Sequence, residues 1–205
     1  VTLELPGFTV SGERMADKAA AEQLKTACQG ATAAVKKVER KDKSEKPPAL
    51  YDLTTLQRDA NRLLGYTAQQ TLDYLQNLYE KKLCTYPRTD SRYLTSDMAA
   101  SLPELVRLTA EVLPFAAGIE IACDAAQVIN DKKVTDHHAV IPTRNLQDAD
   151  LSGLPVGEKA VLELVALRLL CAVAEPHIYA ETAVVVECAG AEFTAKGRTV
   201  KNYGW

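Results

Sequence analysis

Between Thr54 and Tyr86 the chain carries its most constraining pattern: two helical periodicities separated by one glycine and followed by a short strand-like run. Thr54 or Thr55 is placed to cap a first helix whose apolar positions include Leu56, Ala60, Leu63 and Leu64. Gly65 then offers the left-handed stop that helix ends favour. Thr67-Ala68-Gln69-Gln70 fits a capping box, in which hydroxyl and amide satisfy each other's exposed backbone N–H groups. The second helix sets Leu72, Leu75, Leu78 and Tyr79 on one face and ends at Lys81-Lys82, where the helix dipole favours cations. Leu83 to Tyr86 reads as a short strand. Pro87 cannot donate to a ladder, so Tyr86 is expected at a strand end or turn.

The flanks differ in character. Val1 to Val10 alternates like a strand, and Ala16 to Ala34 is alanine-rich and helical. Val35 to Lys46 is read as a charged connector closed by Pro47-Pro48, with a domain boundary there. Thr95 or Ser96 opens a further helix running to about Leu113, before Pro114. Asp131 to Arg144 reads as loop and turn around paired histidines, and Glu158 to Ala174 as a strongly apolar helix ended by Pro176. Hairpin-like runs close the chain: Glu181 to Cys188, then Glu192 to Ala195 and Arg198 to Tyr203, with turns at Gly190 and Gly197. Strands, helices, strands is the order of an α+β fold with a helical domain inserted into a β domain.

Composition narrows the class. The chain is 47% hydrophobic and 25% charged, and its longest apolar run, Val161 to Ala174, is broken by Glu163 and Arg168, so no membrane span is expected. Five cysteines without a Cys-x-x-Cys spacing argue against zinc and against a disulfide framework, and fit a reducing, cytoplasmic setting. Of these, Cys84 reads as a buried strand residue. A net charge of −3 does not announce a nucleic-acid binder, yet residues 31 to 96 hold 12 basic against 8 acidic side chains. A solvated linker around Lys36 to Lys46 accounts for about half of that excess. With Val1 at its start and Trp205 directly after a strand-like pattern, the chain is expected to be a piece of something longer.

The chemistry concentrates in Thr85-Tyr86-Pro87-Arg88-Thr89-Asp90-Ser91-Arg92-Tyr93-Leu94. A tyrosine can act as a covalent nucleophile, and the planar guanidinium fork suits a phosphate better than any other side chain. A phenol two residues from such a clamp points to attack on a phosphodiester. A free phenol is only about one part in a thousand ionised at neutral pH, so cations such as Arg88 and Arg92 would have to help. Tyr93 is read as packing.

This run resembles the active-site segment of type IA DNA topoisomerases, and its surroundings are most similar to the topoisomerase III branch. The resemblance continues through Asp136-His137-His138-Ala139-Val140-Ile141-Pro142-Thr143 and covers nearly the whole chain. It implies a winged-helix-like catalytic domain inserted into a β-rich hinge domain. Residues 1–48 would form the first part of the hinge, 49–150 the helical domain, and 151–205 a connecting helix and return strands. Tyr86 would attack one strand of single-stranded DNA, form a 5′-phosphotyrosine link and reseal it without ATP. Arg88 and His137 would hold the phosphate as catalytic partners, with Arg92, Asp90, Thr89, His138 and Arg144 as DNA-binding residues. Asp90 is read as orienting a cation. Asp148-Ala149-Asp150 resembles the family's Asp-x-Asp metal pair but lies in a polar loop, so no metal ligand is assigned in this chain. Magnesium would bind in the full-length enzyme, in a metal-binding domain of the same chain outside this fragment, and the fragment alone would be inactive. The alternative is a non-catalytic helix-turn-helix module, with Leu83 to Tyr86 beginning a wing; against it, the second helix shows few outward Arg, Asn or Gln residues beyond Gln69, Gln70, Gln76 and Asn77. A tyrosine recombinase lacks support, because the histidines follow the tyrosine.

Overall fold

A computed structural model describes residues 1–116 and 118–205, and it divides into two compact units. One comprises Val1–Glu45 with His177–Tyr203, the other Lys46–Pro176 with Gly204–Trp205.

The first unit is a five-stranded antiparallel sheet with the order β1-β2-β5-β4-β3. Val1 to Val10 does not run as one strand: Gly7, with φ of 90°, reverses it between β1 (Thr2–Leu5) and β2 (Phe8–Gly12). Helix α1 (Lys18–Cys28), capped by the Asp17 carboxylate, helps close a small core of Val10, Cys28, Val186, Cys188 and Phe193. The expected charged connector is instead strand β3 (Ala34–Glu45), paired along its length with β4 (His177–Cys188). Its side chains are almost all exposed, which is why no apolar alternation marked it as a strand. It occupies a sheet edge, where charges discourage pairing with another chain. Lys36 pairs with Glu187 at 2.8 Å, and Lys37 with Glu39 at 2.7 Å. Part of this strand's charge is therefore answered within the sheet. β4 turns into β5 (Ala191–Asn202) through Ala189 and Gly190, both at positive φ (51° and 79°), as a two-residue primed turn requires. Gly197 makes no turn: it lies inside β5, opposite Thr182.

The second unit is helical. In α2 (Leu53–Leu64) the cap is Asp52 rather than Thr54 or Thr55. Its carboxylate accepts from Thr55 N at 2.6 Å while the Thr55 hydroxyl accepts from Asp52 N, a reciprocal box. Leu56 and Ala60 are buried, whereas Leu63 is exposed. Gly65 ends the helix at φ 73°, and Thr67 and Gln70 form the expected box at the start of α3 (Ala68–Glu80). The helix expected from Thr95 is shorter. A 3-10 turn, Ser96–Met98, precedes α4 (Leu102–Val112), which begins where Pro103 fits the first helical turn. Helix α5 (Val156–Val173) belongs to this unit, so the unit runs past residue 150 to Pro176. Val161, Leu162 and Val165 of α5 enter one buried cluster with Tyr51, Leu56, Leu75, Leu78 and Cys84. Ala166, Leu169, Leu170 and Val173 enter another with Leu94, Leu102, Val106 and Ile141. A helix buried on both sides is apolar nearly all round, which explains its composition. Among the described residues no helix is long and apolar enough to cross a membrane.

Candidate active site

The two motifs found in the sequence lie side by side. The chain leaves α3 through Lys82, a non-glycine at φ 60°, whose carbonyl accepts from the Thr143 hydroxyl and, at 3.1 Å, from Asn145 Nδ2. Cys84 then pairs antiparallel with Pro142, flanked by Thr143 N to Leu83 O and Thr85 N to Ile141 O, both 3.0 Å. Pro142 lacks an N–H, and the Thr85 hydroxyl compensates by accepting from Ile141 N at 3.0 Å and donating to Ala139 O at 3.2 Å. Burial pushes the Cys84 thiol up to about 12, so it stays an inert core group beside the motif.

Beyond this bridge the backbone alternates. Pro87, Thr89 and Ser91 turn inward, while Arg88 and Asp90 are exposed. Thr89 was expected to meet DNA, but it is 8% exposed and its hydroxyl donates to His137 O at 2.8 Å. It holds the second motif in place. Ser91 donates to Lys133 O at 2.8 Å, and Ala139 N donates to Tyr93 O at 2.9 Å. Arg92 spends Nε on Leu50 O at 3.0 Å and so fastens the loop to the segment before α2. Tyr93 carries Lys133 over its ring, 4.7 Å from the centroid.

Tyr86 emerges half-buried from this frame. Tyr79 meets its ring edge-on, with centroids 5.5 Å apart at 84°. His137 lies on it at 4.2 Å and 36°. Tyr79 was read as part of a core face, yet it is 39% exposed and acts as a wall for Tyr86. Among the described residues the Tyr86 hydroxyl has no hydrogen-bond partner, and Arg88 has neither hydrogen bond nor ion pair. No ion pair joins Arg88 to Asp90 among the described residues, which leaves the guanidinium available to an anion.

The remaining candidates separate from this group. His138 points Nδ1 at Ala139 O, 2.8 Å away, and because a carbonyl only accepts, that nitrogen carries the proton. Exposed Arg144 pairs with Glu104 at 2.8 Å. Asp150 Oδ1 accepts from the Ser152 hydroxyl and backbone N (2.5 and 2.9 Å), and these bonds hold its carboxyl below the usual range. Asp150 thus caps a turn, and among the described residues no group of three or more His, Cys, Asp or Glu side chains is placed to hold a metal ion. The few outward amides of α3 are also engaged. Gln69 binds Asp73, Gln70 caps Thr67, Gln76 binds Glu80, and Asn77 binds the buried Glu158. Lys81 reaches the same carboxylate and fixes the end of α3 from which the Tyr86 loop departs.

One network was invisible in the sequence: Tyr51, Asp59 and Arg168 converge behind the loop. An arginine interrupting an apolar helix was the available signal, since charged residues enter cores only with partners.

Comparison with known proteins gives the family. A model of the DNA topoisomerase family matches residues 6–205. DNA topoisomerase 3 of Bacillus licheniformis is 38% identical over 211 residues, covering all of this chain and 29% of the relative. DNA topoisomerase 3 of Bacillus subtilis is 43% identical over 183 residues, covering 86% of this chain and 25% of the relative. The chain therefore spans between a quarter and a third of the length of these relatives. In fold it is similar to full-length topoisomerase I from Thermotoga maritima, with a TM-score of 0.70 at 24% identity, over 98% of this chain and 33% of that one.

Proposed function

The chain belongs to the type IA DNA topoisomerase family, and from that premise we propose that it is the nucleophile-bearing part of an enzyme that cuts and reseals single-stranded DNA. The Tyr86 oxygen attacks the scissile phosphorus, the bond to the 3′-oxygen breaks, and a 5′-phosphotyrosine ester forms. The phenol gives up its proton and the departing 3′-oxygen takes one. The ester keeps the energy of the broken bond, so the 3′-hydroxyl can reverse the step without ATP after another strand has passed.

Arg88 neutralises charge growing on the phosphate oxygens, the kind of preorganised stabilisation that often dominates a rate. His137 donates to the same phosphate from its place on the Tyr86 ring. One observation carries this reading: Tyr86 is held on two sides by Tyr79 and His137 while its hydroxyl and the Arg88 guanidinium remain without partners among the described residues. Inward groups such as Thr89 position the loop rather than contact DNA. We place the magnesium ion and the groups that handle the 3′-oxygen in a separate domain of a longer, cytoplasmic protein. This chain alone is accordingly expected neither to cleave nor to relax DNA.

The test is Tyr86→Phe in the complete enzyme, with covalent complexes trapped by denaturant on a labelled single strand. The parent should yield adduct and the variant none. Undiminished adduct would remove Tyr86 from the mechanism.

A further inference from the structure

The segment Ala49 to Leu53 leads into the first residue of α2 and touches both motifs through its backbone. Leu50 O accepts Arg92 Nε at 3.0 Å, Tyr51 O accepts Val140 N at 2.8 Å, and Leu53 N donates to Thr89 O at 3.1 Å. The strap is thus the common backing for the Tyr86 loop and the His137 loop. Its own position is set from α5. Arg168 donates through Nη1 to Ala49 O at 3.2 Å and through Nη2 to the Tyr51 hydroxyl at 2.9 Å and Asp59 Oδ2 at 2.5 Å. The guanidinium also lies 4.0 Å from the Tyr51 ring centroid. The Tyr51 hydroxyl completes the arrangement by donating to Asp59 at 2.8 Å.

We propose that Arg168, acting through Tyr51 and Asp59, is a positioning residue for strand cleavage, fixing the strap on which the Tyr86 and His137 loops are registered against each other. The inference rests on the assignment of Tyr86 as nucleophile. A charged fork in the otherwise apolar stretch Leu164–Val173 of α5 is a poor device for stability alone, because apolar side chains of similar volume would fill the space as well. What it supplies is direction. Three donors of one planar group fix a backbone carbonyl, a ring and a carboxylate together, and an ammonium on a flexible stem cannot reproduce that geometry. The strap follows directly on Lys46–Pro48, and Arg168 lies in the last turns of α5 before Pro176, so both ends of the helical unit are tied to this one group. A displacement of either end would be felt at the register of the two loops. Misplacement of reacting groups by about 1 Å slows reactions by about a hundredfold.

The experiment compares Arg168→Lys, Tyr51→Phe and their combination in the complete enzyme. It measures the single-turnover rate of adduct formation on a labelled single strand, the affinity for that strand, and cooperative unfolding. Tyr51→Phe keeps the ring and its burial, so it guards against a variant that merely fails to fold. We expect each variant to slow adduct formation by at least about tenfold at saturating DNA, with affinity changed less than about twofold and the unfolding transition retained. The combined variant should be little slower than the worse single one. Adduct formation at the parental rate in folded Arg168→Lys and Tyr51→Phe proteins would overturn the proposal. A loss confined to DNA affinity, or one that follows the folded fraction, would overturn it equally. Failure of the parent enzyme to form adduct through Tyr86 would instead remove the underlying functional assignment.

Discussion

The rings of Tyr86 and His137 lie 4.2 Å apart and inclined at 36°, although they belong to different loops. Thr89 makes this contact possible by holding the His137 carbonyl, and the Cys84–Pro142 bridge keeps the loops in register. His138 faces the other way, onto Ala139 O. The two histidines should therefore fail differently. We expect His137→Ala to slow adduct formation by about a hundredfold while leaving the unfolding transition nearly unchanged, since its side chain is exposed. His138→Ala should lose about 1 kcal/mol of stability with its hydrogen bond and retain most of its cleavage rate. Single-turnover trapping and calorimetry on both variants separate these outcomes.

Arg88 presents the converse case of a side chain with no structural task. It is exposed and has no partner among the described residues. Arg88→Ala should leave Tm within error of the parent and lower the cleavage rate by about 10²- to 10³-fold. Arg88→Lys should recover only part of that loss, because an ammonium cannot grip a phosphate in two places. A variant that cleaves normally would show that the phosphate is held elsewhere.

What could be read from the sequence followed how local the determinants are. The Gly65 stop and the Thr67–Gln70 box depend on a few neighbouring residues and stand where the pattern put them. The α2 cap was displaced to Asp52 because aspartate, serine and threonine compete almost equally for such a position. Strand β3 escaped notice because an exposed edge strand needs no apolar alternation, and its charges look like those of a linker. Gly197 misled for a related reason: in a strand opposite Thr182 it packs little and breaks nothing. At the site, the residue types and their order were legible, but their division of labour was not. Whether Thr89 faces solvent or His137 depends on pairing with a segment far along the chain. The same holds for Tyr51, Asp59 and Arg168, which only tertiary packing joins.

The Asp59 carboxylate supplies a pH signature for that network. Burial pushes its pKa up, but hydrogen bonds from Tyr51 and Arg62 and the charge of Arg168 outweigh burial and hold it below the ordinary value. A carboxylate depressed in the folded state contributes stability that is complete above its unfolded pKa, about 4, and is lost as pH falls through the folded value. The parent should therefore be clearly more stable than Asp59→Asn at neutral pH. The difference in Tm should shrink below about pH 4 as the parent's Asp59 takes up its proton. A constant gap from pH 7 to pH 2 would mean that Asp59 is not ionised in this network.

Helices α3 and α5 approach so closely that a Cβ built on Gly157 would lie 2.4 Å from the ring of Tyr74. That ring cannot swing away freely, because Tyr66 meets it edge-on with centroids 5.3 Å apart at 64°. In an unobstructed helix, replacing glycine by alanine would gain about 1 kcal/mol. Here the added methyl must displace the Tyr74 ring or part the helices, and overpacking of this kind costs about 1–3 kcal/mol. Gly157→Ala should accordingly lower Tm by up to roughly 8 °C rather than raise it. Introducing Tyr74→Ala into that variant should remove the clash, so the double variant should be more stable than the sum of the two single losses allows. Calorimetry on the four proteins checks the cycle. A neutral or stabilising Gly157→Ala would show that the helices separate easily at this contact.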